Sequence, residues 1–363
     1  MIGLPVAAAV GITGGNPDAG LEVLKTLTPQ QVEAAKALLP IIKVDVKDVP
    51  DVLYAEVLAE ADGHSARVVI CTDHTRIVLL EKDGEVLMEQ DSAPGVQIQP
   101  AKSDKPAMTL REIVAFALEV PLTEIAFIRE AASMNQALAD EGLQGYGLRI
   151  GKILTEQVER KLLSDDLMTL AMRLSSAASD ARMDGAMLPA MSNSGSGNQG
   201  IAATMPVVAA ARFLKADDEQ LARALVMSHL VAIYIKTYQN KLSALCAAST
   251  AAMGSGAAIT WLLGGQFEQI SHCINNMIGD VSGIICDGAG SACSMKVSTS
   301  TSAAVKSSLM AINNLHVPQS EGIVSDDVDQ TIANLGRLSK QGMLDTDIEI
   351  INIMRAKQQG KAG

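Results

Sequence analysis

The spacing of apolar and polar positions changes twice along the chain. Near the start, apolar residues recur at helical spacing, and Pro17 and Pro29 stand where a first helical turn accepts proline. From about 41 to 104 the pattern alternates or is β-branched, as in Val44–Lys47 and Ala66–Thr72, which predicts strands. Beyond that segment the helical spacing returns. This order predicts an α+β protein with a mainly α-helical body and a small, mostly antiparallel sheet inserted near the N-terminus.

The sheet is predicted to have four or five strands, with Asp62-Gly63 and Asp83-Gly84 as hairpin turns. The polar, proline-containing segment 91–107 is predicted to be a linker. We therefore expect three parts, which are residues 1–38 plus 107–355 as a helical catalytic body, 41–104 as a small α+β sheet domain, and 356–363 as a flexible tail.

Local signals subdivide the helical part. Thr109–Glu112 is a capping box, which predicts a helix start. A long amphipathic stretch covers about 152–183, and His229–Cys246 predicts a helix that ends in a thiol. Two tracts break the helical pattern, and we expect loops at 189–200 and 286–293.

Composition indicates how such a body is packed. Of the 363 residues 48% are hydrophobic but only 2% are aromatic, so the core is predicted to consist of Ala, Leu, Ile, Val and the 17 Met. Small side chains allow helix axes to approach closely. The formal net charge is -12, which argues against nucleic acid or an anionic membrane surface as a general partner.

Two long uncharged runs, 185–211 and 242–267, are long enough to cross a bilayer. Both are interrupted by glycine and polar residues, which would leave backbone groups unsatisfied in lipid. Buried helices around a site explain the runs better than membrane spans. The odd number of cysteines and the lack of a signal peptide indicate a reducing compartment. A soluble, cytoplasmic protein is therefore expected.

Four of the five cysteines fall between 246 and 293. Thiolates select zinc, copper(I) or iron–sulfur clusters. We interpret Cys71 and Cys273 as small apolar core residues, and the pair Cys286 and Cys293, in a glycine-rich tract, as ligands. Structural zinc is the weaker alternative, because this pair is spaced too widely for C-x₂₋₄-C ligation.

The tract Gly195–Gly200 matches G-x-G-x-x-G, and Asp217 follows at nearly the distance of a ribose-binding acid. A dinucleotide site requires a buried strand before the glycines, and the preceding residues, including Pro189, do not form one. We therefore reject an NAD site. What remains is a polar glycine loop leading into a helix near Ile201, whose exposed amides would suit a carboxylate.

The segment before Cys246 carries candidate proton-transfer or charge-neutralising groups. Lys236, Tyr238 and Lys241 are the candidates, since burial lowers the pKa of a lysine. Solvated positions on a helix surface are an equally good interpretation of the three. His229 lies among apolar neighbours and is interpreted as a core histidine with satisfied hydrogen bonds.

Three strings in this order, Pro189–Gly200, Lys241–Cys246 and Ile284–Ala289, resemble the L-cysteine desulfidase family. That family is related to the α part of iron–sulfur L-serine dehydratases, and the resemblance extends over nearly the whole chain. It implies a [4Fe–4S] cluster held by Cys246, Cys286 and Cys293. One iron would be left open to act as a Lewis acid on the β-substituent of the substrate.

The implied reaction is β-elimination of L-cysteine to pyruvate, ammonia and sulfide, without pyridoxal phosphate or NAD. The glycine loop is expected to face the thiols across a cavity, with Lys241 as a nearby base or charge partner. Beyond the small amino-acid substrate the sequence implies no nucleic acid and no membrane partner, and it allows a homo-oligomer. The predicted substrate-binding residues are Ser192, Asn193, Ser194, Ser196, Gly197 and Asn198.

The resemblance has one departure. Members of the family usually carry a Cys-Thr-Glu-Pro segment near the N-terminus, and the printed sequence has no such string. This predicts a missing or divergent front portion and supports one alternative, a non-catalytic relative that binds a ligand or a cluster or senses redox state. The other alternative is a lyase resembling L-serine dehydratase, because the thiol and the hydroxyl share the same leaving-group chemistry.

Overall fold

The computed structural model describes residues 3–51, 53–90, 108–239 and 242–359. The protein is α+β, as predicted, being mostly helical with one small antiparallel sheet near the N-terminus. It divides into two compact units, residues 1–103 and 104–363. The predicted grouping of 1–38 with the helical body stays a prediction, and the predicted linker at 91–107 lies outside the described residues.

The first unit begins with two helices, α1 (Leu4–Gly14) and α2 (Pro29–Leu38). Pro29 occupies the first turn of α2, and Thr28 and Gln31 form a capping box there. The segment that starts at Pro17 is only a short 3₁₀ helix, Pro17–Glu22, and not the predicted α-helix. Gly20, with φ of 55°, interrupts the helical geometry within it.

The sheet of the first unit is an antiparallel meander in the order β1-β2-β3-β4. Its hairpins at Asp62-Gly63 and Asp83-Gly84 have positive φ at both residues, as two-residue turns of this kind require. Val44–Lys47 is not a strand, because the described residues offer its backbone no ladder partner. The strands are β1 (Tyr54–Ala61), β2 (His64–Cys71), β3 (Ile77–Lys82) and β4 (Glu85–Glu89).

The second unit is a body of α-helices that pack around one extended apolar core. The predicted capping box at Thr109–Glu112 opens the first of them. The helices are α3 (Leu110–Glu119), α4 (Leu122–Ile125), α5 (Arg129–Gly142), α6 (Ile150–Glu159), α7 (Leu167–Asp184), α8 (Gly197–Leu214), α9 (Asp218–Thr237), α10 (Ala247–Leu262), α11 (Phe267–Val281), α12 (Ala292–Ala311), α13 (Val328–Arg337) and α14 (Leu344–Gln359).

Helix α10 lies at the centre of this body and packs on α8, α9, α11 and α12. Every residue from Ala248 to Thr260 is buried, and most of them are Ala, Gly, Ser or Thr. A Cβ at Gly254 would collide with the carbonyl oxygen of Ser228 on α9. Small side chains therefore let α9 and α10 approach closely, as the composition predicts.

The amphipathic stretch 152–183 is divided between α6 and α7. The Asp166 carboxylate accepts the amide of Thr169 (2.9 Å) and starts α7 there. Helix α14 runs to Gln359, so part of the predicted tail is helical. No helix within the described ranges is long and apolar enough to cross a membrane.

Candidate functional site

Two segments far apart in sequence pair as a short antiparallel ribbon that carries two of the predicted ligands. The amide of Cys246 donates to the Ile284 carbonyl (2.9 Å), and the amide of Cys286 donates to the Ala244 carbonyl (2.7 Å). In this pattern Cys246 and Cys286 occupy diagonal positions on one face, with Cα atoms about 7–8 Å apart. Non-local backbone pairing therefore brings these two thiols together.

The ribbon corrects the predicted context of Cys246. The helix that starts before His229 ends at Thr237, so it does not end in the thiol. Cys246 instead directly precedes α10 and is 8% exposed. Burial raises the pKa of its thiol, and the nearby Cys286 adds to the effect.

Cys293, the third predicted ligand, lies in the first turn of α12 and not in the loop. Its thiol approaches the carbonyl of Gly288 (3.7 Å), and its side chain is partly buried. Across the described ranges, no group of three His, Cys, Asp or Glu side chains is placed to hold a single metal ion. Cys246 and Cys286 thus share a ribbon face, and Cys293 stands on the adjoining helix.

Two lysines border the ribbon. Lys296, one turn after Cys293, forms an ion pair with Asp287. Burial opposes protonation of Lys296, but Asp287 and the thiols of Cys246 and Cys286 together raise its pKa. Lys236, near the end of α9, is 9% exposed, and burial lowers its pKa while Cys286 opposes that shift.

Of the candidate bases, Lys241 lies outside the described residues. Tyr238 packs edge-on against Tyr234, whose hydroxyl donates to Asp329, so these rings tie α9 to α13. Lys296 was not singled out by the sequence analysis. The signal for it was its spacing of three residues from Cys293, which places both on one helix face.

The predicted substrate loop is braced largely by its own side chains. Ser192 Oγ lies 2.9 Å from the carbonyl oxygens of both Gly195 and Ser196. Ser194 Oγ donates to the Asn193 side-chain oxygen (3.0 Å). Its serines are therefore engaged within the loop, and their role toward a substrate stays a prediction.

Helix α8 begins at Gly197, four residues earlier than predicted. Ser196 caps it, because Ser196 Oγ accepts the amide of Gln199 (3.3 Å). Asn198 is 5% exposed, and its side chain accepts from Ser179 Oγ (3.0 Å) and donates to the sulfur of Met183 (3.2 Å). The side chain of Asn198 thus holds α8 against α7.

The loop is also tied to α9 through His229. Asn193 Nδ2 lies 3.2 Å from His229 Nδ1, and Thr204 Oγ1 lies 3.0 Å from its Nε2. The side-chain nitrogen of Asn193 can only donate, so Nδ1 of His229 accepts from it. The ring proton is therefore assigned to Nε2. His229 is 5% exposed, and burial lowers its pKa from 6.5 to about 4. It is a buried histidine with both nitrogens engaged, and it also contacts a predicted substrate residue.

Acid should destabilise the larger unit through His229. The unfolded chain takes up a proton on this residue below pH 6.5, whereas the folded unit resists until about pH 4. Stability linked to the neutral ring is therefore complete above pH 6.5 and falls by about 3 kcal/mol as the pH drops through 4. Urea unfolding between pH 4 and 7 measures this loss. In His229→Gln, which keeps a donor and an acceptor, the slope should be shallower, and an unchanged slope would contradict the assignment.

A cavity of about 430 Å³ adjoins the contact between Asn193 and His229. Its described lining includes Asn193 and His229 together with apolar residues such as Phe127 and Ile128, and none of the cysteines. This is not the predicted cavity between the loop and the thiols. That arrangement stays a prediction.

The C-terminal helix α14 borders the ribbon and the cysteine loop. Asp347 accepts the backbone amide of Ala244, and burial raises its pKa although this hydrogen bond opposes the shift. The end of the Met354 side chain lies near Gly288. One side of the candidate site is therefore formed by α14.

A family model described as serine dehydratase alpha chain matches residues 18–352. A UPF0597 protein of Aeromonas salmonicida is 95% identical over 362 residues, covering 100% of this chain and 83% of the relative. A UPF0597 protein of Shewanella pealeana is 55% identical over 364 residues, and one of Oleidesulfovibrio alaskensis is 47% identical over 362, each covering 98% of this chain and 83% of the relative.

Proposed function

Because the chain belongs to the serine dehydratase alpha chain family, we propose that it is a lyase that eliminates the β-substituent of a small amino acid. L-Cysteine is the proposed substrate, and L-serine is the alternative. Elimination releases sulfide and aminoacrylate, which water converts to pyruvate and ammonia. The family supports a lyase related to serine dehydratase. That the leaving group is a thiol is our further proposal.

The observation that carries the proposal is the ribbon that sets Cys246 and Cys286 on one face, with Cys293 in the first turn of α12. A single tetrahedral ion would need its thiolates within about 2.3 Å of one point, and the described residues offer no such group of three. In a [4Fe–4S] cluster each thiolate binds a different iron, so the ligands stand further apart. A cluster therefore demands less of the spacing between the three thiols than a single ion does, and we propose it as the bound group.

When bound by these cysteines, a cluster with one open iron supplies a Lewis acid for the departing β-substituent. The chain itself must then remove the α-proton. Lys236 is our candidate for this step because it is buried near Cys286, and burial lowers its pKa. Lys241 remains the alternative base.

The start of α8 is proposed to orient the substrate. The side chains of Ser192, Ser196 and Asn198 are occupied by the loop or by α7. The groups left for a ligand are therefore backbone amides, in the position where a helix dipole favours an anion. The α-carboxylate is the anionic part of an amino acid that these amides would bind.

Anaerobic purification, reconstitution with iron and sulfide, and assay of the products test the proposal. L-Cysteine should yield sulfide and pyruvate in equal amounts, and D-cysteine should yield neither. If L-serine gives faster pyruvate release, the substrate assignment is wrong although the lyase class stands. A reconstituted cluster with no turnover of either amino acid would favour the non-catalytic, cluster-binding relative.

A further inference from the structure

Arg182, in the last turn of α7, is a partly buried cation without an anionic partner. Its guanidinium lies 3.0 Å from the sulfur of Met183, which is a weak acceptor. Within the part of the chain that the structure describes, no carboxylate lies within ion-pair distance of it. Burial lowers the pKa of Arg182, but arginine stays charged in proteins.

The acidic residues nearest in sequence are directed elsewhere. Asp180 accepts the amide of Gly151 (3.2 Å), and Asp184 accepts the amide of Gly147 (3.0 Å). Residues two apart on a helix do not face each other, so neither can turn to Arg182 without losing these bonds. The charge of Arg182 is thus left uncompensated by its own helix.

Arg182 also lies against the start of α8, where a positive charge is unfavourable. The side chain of Arg182 fills the space that Gly197 leaves by lacking a Cβ. Its Nε and Cδ atoms therefore lie against the first residue of α8. Among the described residues the amides of Gly197 and Asn198 have no acceptor. A cation there also faces the positive end of the helix dipole, an arrangement that an anion would relieve.

Gln199 gives a second, independent indication of a ligand. Its side chain is 1% exposed, and its Oε1 has no donor in the described structure. This oxygen lies against Gly195, in the loop, while the side-chain nitrogen bonds Ser194. A buried acceptor without a donor is destabilising. An ammonium group would satisfy it.

Arg182 also connects the start of α8 to the thiols, because its charge interacts with Cys293. We propose that Arg182 and the amides of Gly197 and Asn198 bind the α-carboxylate of the substrate, with Gln199 Oε1 accepting from its ammonium group. The inference deepens the proposed function and rests on it. It adds Arg182 and Gln199 to the groups that position the substrate.

Binding of an inert pair of ligands to the full chain tests this without turnover. L-Alanine has no leaving group, and L-alaninamide replaces its carboxylate with a neutral amide. By calorimetry the wild type should prefer L-alanine, and Arg182→Gln should weaken L-alanine binding by about 10- to 100-fold, as expected for loss of a charge-assisted hydrogen bond. Affinity for L-alaninamide should not change.

Arg173→Gln is the matched control, since Arg173 lies on the same helix and is held by Asp165 and Thr155. It should bind L-alanine like the wild type. Arg182→Lys, which keeps the charge, should retain part of the preference and covers the case in which Arg182→Gln does not fold.

Equal affinity of the wild type for both ligands, or unchanged L-alanine binding by Arg182→Gln, would overturn the inference. Binding of L-alanine that depends on Arg182, without lyase activity in the wild type, would uphold the site and refute the proposed reaction. Turnover of L-cysteine that is unaffected by Arg182→Gln would refute the site and uphold the proposed reaction.

Discussion

Replacing Cys286 with serine should lower sulfide release from L-cysteine by about a thousandfold, since Lewis-acid stabilisation of the leaving group is worth several kcal/mol. Cys286 shares a ribbon face with Cys246 and lies within electrostatic range of Lys236. Its loss removes one of three proposed cluster ligands. Bound iron and acid-labile sulfide after anaerobic reconstitution should fall together with the rate.

Cys273→Ser is the matched control. Cys273 is fully buried in the same unit, and its sulfur lies 3.6 Å from Ser308 Oγ, so a serine hydroxyl finds a partner there. This variant should keep wild-type iron content and rate. If Cys286→Ser also keeps both, Cys286 is not a ligand and the cluster proposal fails for this chain.

Replacing Gly200 with alanine should destabilise the larger unit by about 3 kcal/mol, the upper part of the range for overpacking a tight interior. A Cβ at this position would collide with the carbonyl oxygen of Met191, which is backbone and cannot rotate away. Met191 is itself fixed, because its amide donates to Asn135 Oδ1 (3.0 Å). The loop must therefore shift, and urea unfolding followed by helical circular dichroism measures the cost.

Gly283→Ala serves as the reference, because a Cβ at Gly283 meets no atom within 4 Å. Its stability should match the wild type within about 0.5 kcal/mol, as for most surface changes. Because the loop shift would also disturb the start of α8, Gly200→Ala should bind L-alanine more weakly, whereas Gly283→Ala should bind it like the wild type. Equal stability of the two variants would show that the loop adapts and that its position is not fixed by Gly200.

Features that depend on a few neighbouring residues could be predicted from the sequence. The hairpins at Asp62-Gly63 and Asp83-Gly84 and the capping box at Thr109–Glu112 appear where predicted. Each uses backbone preferences or hydrogen bonds within four residues. The alternation at Val44–Lys47 failed as a strand signal, because a strand also needs a neighbour that this pattern does not specify.

The start of α8 shows how tertiary contacts overrode a local rule. Glycine weakens a helix interior by about 0.5–1 kcal/mol, which favoured a loop through Gly200. The structure places Gly197 and Gly200 inside the helix, where Arg182 and Met191 occupy the space that a side chain would need. Neither neighbour can be deduced from the spacing of the glycines.

The candidate site itself depends on non-local pairing. The resemblance implied that Cys246 and Cys286 meet, but the ribbon that joins them is a single bridge between segments about 40 residues apart, with no alternating pattern to predict it. His229 was interpreted from its apolar neighbours alone. Its contact with Asn193 comes from the preceding loop, so only the fold reveals it.

Helix α10 has a consequence for observing this protein by light. It starts next to Cys246 and carries the only tryptophan of the chain, Trp261, fifteen residues further on. At about 1.5 Å of rise per residue, roughly 22 Å separate the two. A light-absorbing group bound at Cys246 would quench the fluorescence of this indole by energy transfer over a fixed distance. The fluorescence intensity of Trp261 would then report, in a single unlabelled sample, what fraction of molecules carries that group.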